Sequence, residues 1–366
     1  MKILHVCNHF HPCTGGIPKY VYDLCIELKK LGHISDVLCL DRCPNSKEKL
    51  PQKESFMGIT INRVPFIDLK IYKLADLRLL RTVKKYDIIH VHTMGFLSEV
   101  IILMKKYHRK PMIFSTHSGI FHTKTLWCFK KIYFDTWCRF IYRMYDKVFA
   151  DGKDDVKVFS KILKNIDLIP VAINIKKFMS IKRKPEKNRI VYIGRIAKNK
   201  RVDNLIKTMF FVKQKIENVK LYIGGIDANN LMPSLRALVN KLDLKQNVVF
   251  LGEISEKEVL NQLSKAQLFA FPSEFEGGSC ISILETLAAG CPPVVNKLDT
   301  YENMVKDNYS GFYVDYEKHK QAAEKIVKLL GCDLTDVSAC SRKTSRNFDW
   351  SDIIGKIERI YKSLIW

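Results

Sequence analysis

The chain of 366 residues is too long for one ordinary hydrophobic core, and two domains of about 170–190 residues each are the natural expectation. Hydrophobic residues make up 47% and charged residues 27%, which excludes a disordered or fibrous chain. The formal charge of +23 favours an anionic partner: a phosphate ester, a membrane surface or nucleic acid.

The charge is spread along the chain. Residues 1–170 carry 29 Lys+Arg against 16 Asp+Glu, or +13, and the remainder 32 against 22, or +10, so there is no single basic tail. A solvated lysine-rich surface would give the same balance. No apolar run reaches the ~18–20 residues that cross a bilayer. The opening MKILHVCNHF is too short and polar for a signal peptide and reads as a buried strand, so the expected location is the cytoplasm. Eleven cysteines are scattered, several in apolar patterns (Cys7, Cys25, Cys39), and are expected to be reduced, small apolar residues.

In chain order, Lys2–Cys7 is a strand, followed by a loop with Gly15-Gly16 and a helix from Pro18 to Leu31 that ends at Gly32. Strands follow at Ser35–Leu40, Ile59–Val64, Ile88–Val91, Met112–Thr116, Lys147–Ala150 and Asp167–Ile169, with helices near Leu74–Lys85, Leu97–Tyr107 and Leu126–Tyr145. Such alternation implies a parallel sheet with helices on both faces. After Ile169–Pro185, which carries two prolines and several lysines, the pattern restarts. Strands Arg189–Ile193, Lys220–Ile223, Val248–Phe250, Leu268–Phe271 and Pro293–Val295 alternate with helices at Arg201–Glu217, Ser234–Leu242, Glu256–Lys265 and Ser279–Ala289. The expected fold is therefore α/β, with two doubly wound domains and a cleft. Ligands in such sheets bind beyond the carboxyl ends of the strands.

The chemistry-bearing residues cluster after strands. Gly15 and Gly16 would let backbone N–H groups approach an anion at a helix N-terminus, although an ordinary turn explains a lone Gly-Gly equally well. In GRIAKNKRVDNLI, Arg195 and Lys200 precede a helix and suit a diphosphate; a solvated basic loop is the bland alternative. In FPSEFEGGSCISILETLAAGCPPVV, the turn Glu276-Gly277-Gly278-Ser279 opens a helix in which Glu285 stands among apolar neighbours. A buried carboxylate needs partners, and two ribose hydroxyls or a structural salt bridge would serve.

Histidines also gather at strand ends: His5, His9 and His11, then His90 and His92, then His117. His117 could contact a transferred sugar or hold a proton near the reaction, whereas His5 and His90 read as satisfied strand histidines. The alternation Cys7-x-His9-x-His11-x-Cys13 has metal-ligand types without a zinc-ribbon spacing, so no metal is expected. Residues 102–147 hold ten Lys+Arg against two Asp+Glu and many aromatics. They read either as a membrane-interface surface or as a core-facing aromatic stripe with a basic wet face. No nucleic-acid-binding motif accompanies the charge.

Together these segments resemble the retaining, GT-B-fold glycosyltransferases of family four (glycosyl transferases group 1). The Gly-Gly loop, the helix end LKKLGH, DLIPVAINIKKF, GRIAKNKRVDNLI, the segment from Phe271 to Val295 and NYSGFYVD carry the resemblance over nearly the whole chain. It implies two facing Rossmann-like domains with an interdomain cleft. These are an acceptor domain at 1–170, a linker at 171–185, a nucleotide-sugar domain at 186–347 and a C-terminal helix at 348–366 crossing back. It further implies that Arg195 and Lys200, with Gly15 and Gly16, hold the donor diphosphate. Glu285 would take the ribose, Gly277, Gly278 and Ser279 would face the donor sugar, and His117 and Glu276 would stand at the reacting carbon. One departure is the spacing Glu-x8-Glu between Glu276 and Glu285, where the family has seven intervening residues. Either the turn holds one more residue, or Glu276 does not take the first-glutamate role.

The expected reaction moves a hexose-type sugar from a nucleotide diphosphate sugar to a glycan or lipid-linked acceptor. It retains configuration and needs neither metal nor cofactor, because cations and helix amides stabilise the leaving group. A lipid-linked acceptor would place the enzyme at the inner face of the cell membrane, in contact with anionic lipid through 102–147 and not with nucleic acid. The alternatives are a nucleotide-sugar epimerase or phosphorylase of the same architecture, and a non-catalytic nucleotide-sugar-binding subunit.

Overall fold

The structure, a computed structural model, describes residues 1–366 except 45, 70–72, 78, 118–126, 277–279 and 366. The chain forms two units. The first comprises 1–172 and 350–365, and the second 173–276 and 280–349.

The first unit is built on an eight-stranded sheet in the order β10-β9-β8-β7-β1-β2-β4-β3. Its strands are β1 Lys2–Val6, β2 Ile34–Leu40, β3 Lys53–Phe56, β4 Ile59–Val64, β7 Ile88–Val91, β8 Met112–Ser115, β9 Lys147–Ala150 and β10 Ile166–Leu168. All neighbours run parallel except β3 and β4. The central strands are apolar runs buried throughout, as a sheet covered on both faces requires. A separate hairpin pairs β5 Phe66–Asp68 with β6 Lys73–Ala75. The helix expected over Leu74–Lys85 is thus corrected: its first residues are the second hairpin strand, and the helix is one short turn, Leu79–Val83.

Helix α1, Gly16–Lys30, buries Tyr20, Val21, Leu24, Cys25 and Leu28. The spacing of three to four makes one apolar stripe. The chain leaves it through Gly32, whose φ of +80° is natural only to glycine. After α2, Phe96–Leu103, the chain reaches α3, Trp127–Tyr133, which continues through a π-helical turn, Phe134–Cys138, into α4, Arg139–Tyr142. The C-terminal helix, Trp350–Ile365, belongs to this unit and buries Trp350, Ile353, Ile354, Ile357 and Tyr361. Each such side chain contributes about 1.5–3 kcal/mol of burial.

The second unit has a six-stranded, wholly parallel sheet in the order β13-β12-β11-β14-β15-β16. Its strands are β11 Arg189–Ile193, β12 Lys220–Gly224, β13 Val248–Gly252, β14 Leu268–Phe271, β15 Pro293–Asn296 and β16 Phe312–Val314. Two of its helices adjoin the candidate residues: α5, Val202–Lys213, after β11, and α6, Ile281–Ala289, after β14. The expected linker is partly ordered. It contains a short helix, Ile175–Met179, capped by Asn174 and anchored by buried Ile175 and Phe178.

The cysteine expectation is corrected at one pair. Cys13 and Cys43 form a disulfide with Cα atoms 5.3 Å apart. The physical reason is topological: β1 and β2 are parallel neighbours, so the loops leaving their carboxyl ends emerge side by side. Cys7, Cys25 and Cys39 are buried free thiols, as expected.

Candidate functional site

In the second unit the site grows from the ends of β11, β12 and β14. Gly225, at φ +141°, closes β12 so tightly that a Cβ there would stand 1.9 Å from the Gly194 carbonyl oxygen. Only bare backbone lets the two strand ends meet. Gly194 in turn lies under Phe271 and Tyr192, whose rings stack with centroids 5.4 Å apart. The Tyr192 hydroxyl donates to the Arg195 carbonyl at 2.7 Å, fixing the loop, while the Arg195 side chain is exposed.

Lys200 follows in a 3-10 turn, Lys198–Lys200, with its ammonium 5.0 Å from the Phe271 ring centroid. That ammonium is ion-paired with Glu276, and the two side chains are 8% and 10% exposed. The loops carrying them are laced together. Asn199 Nδ2 donates to the Phe275 carbonyl at 3.0 Å, the Glu274 amide donates to the Asn199 carbonyl at 3.0 Å, and Thr300 Oγ1 donates to the Glu276 carbonyl at 3.2 Å. Cys280 is close by. Burial, then the Glu276 charge, raises its thiol to about 12, with Lys200 opposing. Burial likewise raises Tyr192 and Tyr301, and the Glu276 charge adds to both. Glu285 lies in α6, 9% exposed, between buried Leu284 and Thr286. Gly277, Gly278 and Ser279 lie outside the described residues.

In the first unit Gly15 takes φ 154° and ψ 172°, a conformation natural only to glycine, and Gly16 begins α1 with nothing within 4 Å of where a Cβ would stand. The first amides of such a helix have no acceptor within the helix itself. The loop before it is braced. Its cysteine is tied to Cys43, buried Arg63 donates to the His11 carbonyl at 2.5 Å, and the His11 ring stacks on Phe56. His9 bonds the Arg42 carbonyl through Nδ1 at 3.0 Å and Lys73 through Nε2 at 3.1 Å, and burial lowers it to about 4. Thus the alternating residues Cys7, His9, His11 and Cys13 each have a different partner, since Cys7 Sγ bonds the His9 carbonyl.

His117 follows β8, at φ +37°, and both its ring nitrogens are engaged: Nδ1 with Asp151 at 2.8 Å and Nε2 with His92 Nδ1 at 3.1 Å. Behind it His92 Nε2 meets His5 Nδ1 at 3.0 Å, and His5 Nε2 meets Ser35 Oγ at 2.9 Å. His90 bonds Tyr361 of the C-terminal helix at 2.6 Å and Ser115 at 2.8 Å. His5, His90 and His92 offer ligand atoms within 4.8 Å of one another, yet every ring nitrogen already has a hydrogen-bond partner. Burial lowers all three pKa values.

The structure brings Lys200 and Glu276 together, and His117 with His92 and His5. Asp151 was not singled out from the sequence, although its place directly after β9 follows the same strand-end rule.

The aromatic segment in the first unit divides. Phe134, Cys138, Ile141, Tyr142 and Tyr145 enter the core, while Phe129, Ile132, Trp137 and Phe140 face solvent, from 40% to 71% exposed. Lys131 and Arg139 are exposed among them.

The comparisons with known proteins agree with this architecture. The chain superimposes on sucrose-phosphate synthase from Thermosynechococcus elongatus with a TM-score of 0.80 at 18% identity, covering 99% of this chain and 98% of that one. It superimposes on Anabaena HepE in complex with UDP and glucose with a TM-score of 0.78 at 16% identity, covering both chains fully. The fold is therefore that of the GT-B glycosyltransferases. The family model "Glycosyltransferase Family 4" matches residues 14–177, and "Glycosyl transferases group 1" matches 174–346. A relative from Komagataeibacter xylinus, a GDP-mannose:cellobiosyl-diphosphopolyprenol alpha-mannosyltransferase, is 25% identical over 370 residues, spanning all of this chain and 94% of its own. The chain belongs to family four of the glycosyltransferases and is an enzyme of the hexosyltransferase type.

Proposed function

We propose that the protein is a retaining hexosyltransferase that moves mannose from GDP-mannose to a saccharide carried on a polyprenyl diphosphate, without a metal ion, at the cytoplasmic face of a membrane. The full-length likeness to the alpha-mannosyltransferase supports the choice of donor and acceptor. The observation that carries the chemistry is the pairing of Lys200 with Glu276 out of water, on the loop that also exposes Arg195.

In this reading the donor diphosphate takes the place of Glu276 on Lys200, and Arg195 supplies a second cation. The amides at Gly15 and Gly16 bind phosphate oxygens, Glu285 receives the ribose hydroxyls, and Glu276 with residues 277–279 faces the sugar. His117 contacts the sugar through its main chain and ring edge, because its ring nitrogens are engaged. The bond from the anomeric carbon to the diphosphate breaks while the acceptor oxygen attaches on the same face. The acceptor's proton passes to a diphosphate oxygen. Arg195 and Lys200 meet the charge left on the diphosphate, which is the role a divalent ion plays in other transferases.

The exposed aromatic face supports contact with an anionic membrane. A cluster of solvent-facing Phe, Ile and Trp with cations between them suits the boundary between headgroups and acyl chains. Among the described residues no helix is long and apolar enough to cross a membrane.

The test is transfer from GDP-mannose to a synthetic disaccharide on polyprenyl diphosphate. An α-linked product formed equally well with EDTA present is expected, and Arg195→Ala should lower turnover about 100-fold. A β-linked product, or loss of activity to EDTA, would overturn the reading.

A further inference from the structure

With its rings neutral, the hydrogen-bonded chain behind His117 has only one chemically consistent direction. A carboxylate accepts, so His117 donates its Nδ1–H to Asp151. A neutral imidazole has one donor and one acceptor nitrogen, so His117 Nε2 accepts, and the proton it shares with His92 sits on His92 Nδ1. By the same step the next proton sits on His5 Nδ1, and His5 Nε2 accepts from the Ser35 hydroxyl. The two ends differ in kind. Ser35 can donate or accept and would tolerate either direction, so Asp151 alone sets the sense of the chain. Burial supports neutral rings at His5 and His92. The Tyr20 ring, edge-on to His117 at 5.1 Å and to His92 at 5.9 Å, fixes their planes.

We propose that Asp151 is a positioning residue, which imposes the Nδ1–H tautomer on His117, His92 and His5 and thereby removes the His117 ring from proton transfer, leaving it a fixed wall. The consequence for turnover rests on the proposed function; the tautomers do not.

The experiment is side-chain 15N–1H correlation spectroscopy of the full-length protein, its Asp151→Asn and Asp151→Leu variants, and their turnover of GDP-mannose. The unmodified protein should show Nδ1–H tautomers at His117, His92 and His5. Asp151→Asn can donate as well as accept, so the three should no longer be held in one form. Asp151→Leu should release the three from a single tautomer and lower kcat about 10- to 100-fold with little change in donor KM, as misplacement of a positioned group does. An Nε2–H tautomer at His117 in the unmodified protein, or unchanged tautomers in Asp151→Leu, would overturn the proposal. Should Asp151→Leu not fold, His92→Phe divides the chain instead: His117 should stay Nδ1–H on Asp151 while His5 loses its single form. Tautomers that behave as stated with unchanged turnover would sink the placement of His117 at the sugar and leave the role of Asp151 standing.

Discussion

Lys200 and Glu276, 76 residues apart in the chain, meet as an ion pair at the carboxyl end of the second sheet, with both side chains nearly excluded from water. Each charge is tolerable there because of the other. Lys200→Ala should leave the Glu276 carboxylate buried without its cation, at a cost of about 3–5 kcal/mol. Glu276→Gln, which keeps shape and an accepting oxygen, should cost less and should raise the affinity of Lys200 for GDP, since the competing carboxylate is gone. Urea unfolding and calorimetric titration with GDP measure the two effects. GDP affinity that falls in Glu276→Gln would show that the pair is not a placeholder for phosphate.

Gly225 and Gly16 should separate stability from activity. An alanine at 225 would set a methyl against the Gly194 carbonyl at a positive φ, and a loss above about 2 kcal/mol in urea unfolding is expected. An alanine at 16 meets nothing within 4 Å, so stability should stay within about 0.5 kcal/mol. Its methyl would nevertheless crowd the amides at the start of α1, and donor KM should rise. Equal behaviour of the two variants in both assays would contradict this division.

Low pH should unfold the protein well above the range where carboxylates titrate. Burial lowers His5 to about 3 and pushes His90 and His92 well below the ordinary value, with neighbouring imidazoles adding to both. In the unfolded chain these groups titrate near 6.5. Their contribution to stability is therefore complete above about pH 6.5 and is lost as pH falls below it, at about 1.4 kcal/mol per pH unit for each histidine. The urea midpoint should drop steeply between pH 6.5 and 5, and less steeply in His5→Gln. A flat profile over that interval is the contrary result.

The solvent-facing aromatic cluster should be separable from the core. Replacing Phe129, Ile132 and Phe140 together with serine should weaken sedimentation with phosphatidylglycerol vesicles by at least about tenfold, since each removes roughly 1.5 kcal/mol or more of apolar contact. The melting temperature should hold. Binding of the unmodified protein should weaken with added salt. Unchanged vesicle binding in the triple variant would remove this face from consideration.

Much of the architecture is legible before any coordinates. β7, β11 and β14 match the sequence reading at both ends, because strands buried on both faces are largely apolar runs between turn residues. The edge strand β3, with the polar pattern Lys-Glu-Ser-Phe, lacks that signal. The β5–β6 hairpin is hidden because Leu74, Ala75 and the following leucines also fit helical spacing. The strand-end rule singles out Arg195, Lys200, Glu276 and His117 as candidates. What it cannot give is partnership. The pairing of Lys200 with Glu276, the bond between Cys13 and Cys43, and the placing of Asp151 behind His117 all depend on which strands are neighbours, which local pattern does not encode.

The C-terminal helix has a consequence for biosynthesis. Tyr361 completes the hydrogen bonding of His90, and Trp350 packs against Tyr20, yet both follow the entire second unit along the chain. The first unit is therefore translated early but sealed late, after the entire second unit has emerged. A nascent chain released before Trp350 would carry an open apolar groove over its histidine core, a natural target for chaperones and proteases until the tail arrives.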